Sequence, residues 1–141
     1  MKQRLVFDDR ERVARWACGE DPTERYGTYY AMGAERDGEL VSAIVMDHYN
    51  GANAMAHITI KKPGKDTHEL LSAFCDYVFN QLKLKRLTGF VPSQWKSVYE
   101  LDKKIGFEEE FVLKDGYPGG DMIVMVMRPE TCKWLKQKDS K

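Results

Sequence analysis

Ala54-Met55-Ala56-His57-Ile58-Thr59-Ile60-Lys61-Lys62-Pro63-Gly64-Lys65-Asp66-Thr67-His68-Glu69-Leu70-Leu71 is the stretch that decides the fold. It opens as a strand (Ala54–Ile60), breaks at Lys61–Asp66, and resumes with a different period. Leu70, Leu71, Phe74, Cys75, Val78, Phe79 and Leu82 recur at helical spacing and predict a helix over about Thr67–Leu82 with one wide apolar face. Asp66-x-x-Glu69 supplies a capping pair at its start. Leu87–Val91 then reads as a short strand. Strand, helix, strand in that order predicts a right-handed parallel crossover.

Working upstream, Tyr49-Asn50-Gly51-Ala52 is a turn, and Leu40–Asp47 is the strand before it. Arg36-Asp37-Gly38-Glu39 separates that strand from another, Thr28–Glu35. Asp-Gly between two apolar runs is a strong hairpin signal, because both central residues of a type I′ turn need positive φ. Gly19–Gly27, with Pro22, reads as a polar loop. The first element is a helix that Asp8 or Asp9 can cap, with Val13, Trp16 and Ala17 on its apolar side. Downstream, Pro92-Ser93 opens a helix with Val98, Leu101 and Ile105 inward, and Gly106 ends it. Phe107–Leu113 and Asp121–Met127 are strands, joined by a loop with Gly116, Pro118, Gly119 and Gly120. A last helical turn is expected in Pro129–Leu135, and Lys136–Lys141 reads as a frayed tail. The expected order is αβββ-αβ-αββ, an α+β (mixed α/β) sheet with helices on both faces.

The chain has 141 residues, which predicts one domain over 1–141. Apolar residues make up 43% and charged residues 31%, an ordinary globular mix. Lys and Arg number 22, matching 22 Asp and Glu, which points away from a broadly basic nucleic-acid binder. No apolar run approaches a bilayer span, and Met1–Phe7 lacks a signal-peptide core, so no membrane association and a cytoplasmic location are expected. Cys18, Cys75 and Cys132 are far apart and form no ligand cluster with histidine, so no metal site is indicated. Trp16, Trp95 and Trp134 read as packing residues, as do Met122, Met125 and Met127 in the last strand. Cys75, on the apolar helix face, reads as buried and inert.

Ser97-Val98-Tyr99-Glu100-Leu101-Asp102-Lys103-Lys104-Ile105-Gly106-Phe107-Glu108-Glu109-Glu110 resembles the short helix, Gly-Phe and acidic strand of the GCN5-related N-acetyltransferase (GNAT) superfamily. Leu113-Lys114-Asp115-Gly116 and Asp121–Met127 are similar to that superfamily's closing β-hairpin, and the likeness runs from Val13 to Met127. More narrowly, Asp76–Leu82 and Phe90-Val91-Pro92-Ser93 resemble small GNAT-like proteins of tailed bacteriophages, which would put the protein in the host cytoplasm.

The resemblance implies a central, mostly antiparallel twisted sheet. It implies a V-shaped splay between Ala54–Ile60 and Leu87–Val91, the fourth and fifth strands of the superfamily. Acetyl-coenzyme A, the small-molecule acyl donor, would enter that splay. Its pantetheine arm would pair with the exposed strand edge, and its pyrophosphate would sit on amides at the start of the long helix. Ile58, Thr59 or Ile60 would supply the backbone N–H that polarises the thioester. The superfamily's pyrophosphate loop, Arg/Gln-x-x-Gly-x-Gly/Ala, aligns with Lys61-Lys62-Pro63-Gly64-Lys65-Asp66, followed by Thr67. Gly64 fits the pattern. Asp66 departs from it and would repel a phosphate; Pro63 lacks an N–H. Lys61, Lys62 and Lys65 compensate in charge. A solvated turn capping the next helix is the other reading of this loop.

The catalytic positions depart further. Asp102 stands where many members carry the Tyr that protonates the departing thiolate, and Trp95 stands in place of an Asn. Asp102 could serve as an acid only with a strongly raised pKa; Tyr99, one turn earlier, is the alternative acid. His57, in the strand bordering the donor, has the right side chain for the base that deprotonates an ammonium. Its other reading is a half-buried sheet histidine. His48 with Asp47 is a lesser candidate. Tyr26, Tyr29 and Tyr30 could line the acceptor pocket. The implied activity is acetyl transfer to a primary amine (protein, metabolite or modified base) by direct attack in a ternary complex. The alternative is a catalytically degenerate binding or assembly module. Oligomeric state is open, a homodimer included.

Overall fold

The structure, a computed structural model, describes residues 1–135. Asp37 and Gly38 both have positive φ, 52° and 85°, and turn β2 (Tyr29–Arg36) back onto β3 (Glu39–Asp47) as an antiparallel hairpin. At the next turn, Asn50 Oδ1 accepts from the amides of Ala52 and Asn53 at 3.0 and 2.8 Å, and β4 (Asn53–Ile60) follows. The long helix is real. α3 (Lys65–Cys75) runs on without interruption through a π-helical segment, Asp76–Gln81, whose end is marked by the Leu82 amide reaching back five residues to the Tyr77 carbonyl at 2.9 Å. β5 (Arg86–Pro92), α4 (Lys96–Ile105), β6 (Glu108–Tyr117) and β7 (Gly120–Met127) complete the expected sequence of elements. Pro92 closes β5 rather than opening α4, and the last turn is a short 3-10 helix, Pro129–Thr131.

Two elements were not expected. β1 (Gln3–Val6) pairs antiparallel with β2, and α2 (Pro22–Tyr26) occupies the segment read as loop, after α1 (Arg10–Cys18). α2 carries its own cap: the Asp21 carboxylate accepts from the Thr23 amide at 3.0 Å, and Pro22 stands at the first helical position. Asp9 does sit at the cap of α1, but its side chain makes no capping bond. The expected tail, Lys136–Lys141, lies outside the described residues.

The seven strands form one mixed sheet in the order β1-β2-β3-β4-β5-β7-β6. Every pairing is antiparallel except β4 with β5. Helices cover both faces. α1 and α2 lay Val13, Ala14 and Tyr26 on Ala31, Ala43 and Val45. α3 and its π-helical continuation lay Leu70, Leu71, Phe74 and Val78 on the alternate residues Met32, Ala34, Ile44 and Met46, in a core that α4 joins through Ile105. Each such side chain, fully buried, contributes about 1.5–3 kcal/mol. Cys75, Met125 and Met127 lie in this core, as their sequence setting suggested.

The parallel β4–β5 ladder is short. It pairs Asn53 with Arg86, Ala54 with Leu87 and Met55 with Thr88, and then stops. Beyond it β4 keeps its β3 partner up to Ile60, while β5 follows β7 up to Pro92. The two strands therefore diverge from Ala56 and Gly89 onward. The splay positions the site.

Candidate active site

Divergence of two paired strands leaves bare backbone donors and acceptors on the facing edges. Here the gap is a cavity of about 610 Å³ that passes between the helical layers. Ala56, His57, Ile58, Thr59 and Ile60 wall it on the β4 side, and Gly89 and Phe90 on the β5 side. α4 contributes Val98, Leu101 and Asp102; α1 and α2 contribute Ala17, Cys18, Arg25 and Tyr26. Trp95 also lines it, 48% exposed and edge-on to Tyr117, so it is a cavity rim rather than core packing.

His57 and Asp102 face this cavity from different elements. His57 Nε2 lies 2.9 Å from Asp47 Oδ1. A carboxylate only accepts, so Nε2 carries the proton in the neutral ring and Nδ1 is left with its lone pair. Asp47 is buried. Burial alone would raise its pKa, but the hydrogen bonds and charge of His57, with His48 Nδ1 3.3 Å away, outweigh it and hold the carboxyl below its usual range. Asp102 is the opposite case. It is buried against Phe107 and Gly89, and burial pushes its pKa up to about 6. A carboxyl in that state is still partly protonated near neutrality.

Tyr99 does not join them. Its hydroxyl donates to Glu109 Oε1 at 3.1 Å on β6, Lys103 lies over its ring, and it is not part of the cavity wall. The Glu109 hydrogen bond holds it on the β6 side of α4.

The loop before α3 is built differently from the expected phosphate cradle. The amides of Lys61 and Lys62 donate to the Val41 carbonyl at 2.9 and 3.3 Å. The Gly64 amide donates to Thr67 Oγ1 at 2.9 Å, and the Thr67 amide returns to the Gly64 carbonyl. Asp66 is fully buried and turned toward β2, where Arg36 clamps it with Nε at 2.9 Å and Nη2 at 2.7 Å. The same Nη2 donates to the Lys62 carbonyl. The carboxyl is held below its usual range first by the Arg36 hydrogen bonds. The Asp66 charge, expected to face the loop, is thus paired with Arg36, a residue that the sequence placed only in a turn. A side chain at Gly64 would meet this guanidinium, its Cβ 2.5 Å from Nη2. The Lys61 ammonium lies 5.3 Å from the Trp16 ring centre, and Lys62 and Lys65 are exposed.

Tyr26, Tyr29 and Tyr30 come together around a second cavity, of about 580 Å³, beyond the closed end of the β4–β5 ladder. Tyr26 lines both cavities, and its ring lies 5.2 Å from the His57 ring. Burial pushes the Tyr26 phenol up to about 12. His68 is not in either cavity; it packs edge-on against Trp134. Among the described residues no cluster of three or more His, Cys, Asp or Glu could hold a metal ion, and no helix is long and apolar enough to cross a membrane.

No protein-family model and no curated protein sequence matches the chain. Solved structures do. The dodecameric spermidine N-acetyltransferase from Vibrio cholerae superposes with a TM-score of 0.66 at 15% identity, over 89% of this chain and 93% of that one. A mutant of the same organism's spermidine N-acetyltransferase SpeG gives 0.62 at 18% identity, over 75% and 67%. The Campylobacter jejuni N-acetyltransferase PseH gives 0.56 at 14% identity, over 75% and 72%. At these identities the likeness is one of architecture, and the chain has the fold of the GNAT N-acetyltransferases: a seven-stranded mixed sheet, split between its fourth and fifth family strands, with helices on both faces.

Proposed function

We propose that the protein is an N-acetyltransferase that moves an acetyl group from acetyl-coenzyme A to a primary amine by direct attack in a ternary complex. The observation that carries this reading is the abrupt end of the β4–β5 ladder at Met55 and Thr88, opening a cavity with His57 on one wall and Asp102 on another. The bare β4 edge from Ala56 to Ile60 is suited to pair with the amide groups of a pantetheine arm. The exposed Lys62 and Lys65, with Lys61, supply positive charge for the donor's phosphates. The bound donor supplies an activated thioester; the rest is work for the chain.

His57 Nδ1 takes the proton from the acceptor ammonium, and Asp47 holds the ring in the tautomer that leaves Nδ1 free. The freed nitrogen attacks the thioester carbon. The carbon–sulfur bond breaks, the electron pair leaves on sulfur, and the nitrogen gives its second proton to solvent water as the amide forms. Asp102, kept partly protonated by burial, gives the thiolate its proton in place of the tyrosine many superfamily members use. An N–H of Ile58, Thr59 or Ile60 polarises the carbonyl. The neighbours named for acting on spermidine favour a small cationic amine as acceptor.

A second reading, a GNAT-fold binding module without acetyl transfer, is favoured by the loop before α3. Its Lys61, Lys62 and Gly64 amides are spent on internal bonds, and Pro63 has none to offer. Acetyl-coenzyme A with a panel of primary amines, read by release of free thiol, separates the two. The enzyme reading expects amine-dependent thiol release that His57→Ala lowers by about 10²–10⁴. Thiol release no faster than the uncatalysed rate, for every amine, favours the module.

A further inference from the structure

The second cavity has a chemistry of its own. Five tyrosines, Tyr26, Tyr29, Tyr30, Tyr49 and Tyr77, wall it, together with Met46 and Leu82. Among the described residues neither lysine nor arginine lines it. Among the described residues its one acidic side chain is Asp47, which is only 3% exposed and is held ionised by its histidine partners. Both histidine contacts go to Oδ1, and Oδ2 has no histidine partner. Tyr30 and Tyr77 pack ring to ring at 4.8 Å, and Tyr26 and Tyr29 at 5.9 Å. Two of these rings already attract cations: Arg25 lies 5.3 Å from the Tyr26 ring centre and Arg10 lies 5.9 Å from that of Tyr29. Electron-rich ring faces around a single buried carboxylate select positive charge and an apolar body, and reject anions.

We propose that this cavity binds an organic cation, its ammonium against Asp47 and its hydrocarbon body on the tyrosine faces. On the acetyl-transfer reading, this cation is the acceptor or its charged anchor. Asp47 and His57, in contact at 2.9 Å, then join the anchoring cavity to the reacting one, with Tyr26 as their common wall. The chemistry excludes acceptors that carry a carboxylate or phosphate beside the amine.

The test is calorimetry on the full chain with three probes of one shape: phenethylammonium, 2-phenylethanol and 3-phenylpropanoate. Acetyl-coenzyme A is titrated in parallel. The ammonium is expected to bind at least tenfold more tightly than the alcohol, and the carboxylate not at all. Asp47→Asn is expected to erase the preference for the ammonium. Tyr49→Leu, at an exposed position, is expected to weaken the ammonium about two- to fivefold, the range for one cation–ring contact, and to leave acetyl-coenzyme A binding unchanged. Equal binding of ammonium and alcohol, or full ammonium affinity in Tyr49→Leu, overturns the proposal. If Asp47→Asn loses its near-ultraviolet circular dichroism, the unmodified chain and Tyr49→Leu decide. Acetyl-coenzyme A bound without the ammonium defeats the cation site alone. The ammonium bound without acetyl-coenzyme A defeats the acetyl-transfer reading alone.

Discussion

Replacing Asp102 by Asn should stabilise the protein, by an amount that depends on pH. Among the described residues Asp102 is buried without a charged partner, and burial raises its pKa from 3.8 to about 6. A folded carboxyl that holds its proton more tightly than the unfolded one favours folding while protonated. That advantage is present below the unfolded value and is lost as pH rises from about 4 to about 6. At 1.36 kcal/mol for each tenfold change in proton affinity, the loss is about 3 kcal/mol. Asn keeps the shape and carries no charge to desolvate. Asp102→Asn should therefore match the unmodified chain at pH 4 and exceed it at pH 7.5 by up to about 3 kcal/mol, or roughly 10 °C in Tm. Thermal unfolding followed by circular dichroism across pH 4–8 measures this. Parallel curves for the two proteins, with a constant offset, would refute the argument that a desolvated charge sits at the splay. If Asp102 also serves as the acid, the more stable variant turns over more slowly. Strain at the site would then coincide with its use.

Three further predictions test other parts of the account. Asp66→Asn should lower Tm at pH 7 by roughly 5 °C or more, because a buried partner of Arg36 is lost; as Asp66 has a depressed pKa, its stabilisation is present above the unfolded value and fades as pH falls through the folded one, so the gap should close in acid. His57→Ala should leave acetyl-coenzyme A affinity unchanged in calorimetry while kcat drops and the rising limb of the pH–rate profile disappears. Phe74→Ala, in a side chain 2% exposed at the centre of the α3 core, should cost about 3–5 kcal/mol in urea unfolding.

Long periodic segments were legible because they carry their own signal. The apolar stripe from Leu70 to Leu82 and the Asp37-Gly38 turn needed no tertiary information. β1 and α2 were not legible, because four and five residues are too few to show a period. Asp21-Pro22 was a readable helix start that the surrounding glycines masked. The splay was foreseen from resemblance alone; nothing in Ala54–Ile60 says that its partner leaves after Met55. Among the site residues, His57, Ile58, Thr59, Ile60 and Asp102 do meet around one cavity. Tertiary partners decide where other residues lie. Tyr99 is captured by Glu109, ten residues away, and Asp66 by Arg36, thirty residues back. A buried acid implies a cationic partner somewhere, but sequence does not say which arginine.

The central claim is that the open splay between β4 and β5 holds acetyl-coenzyme A. Titration calorimetry of the protein with acetyl-coenzyme A, and with free coenzyme A, tests it most directly. The account predicts saturable binding in the micromolar range, about −8 kcal/mol. No binding heat up to millimolar donor would contradict it, and the internally bonded loop before α3 would then be the reason.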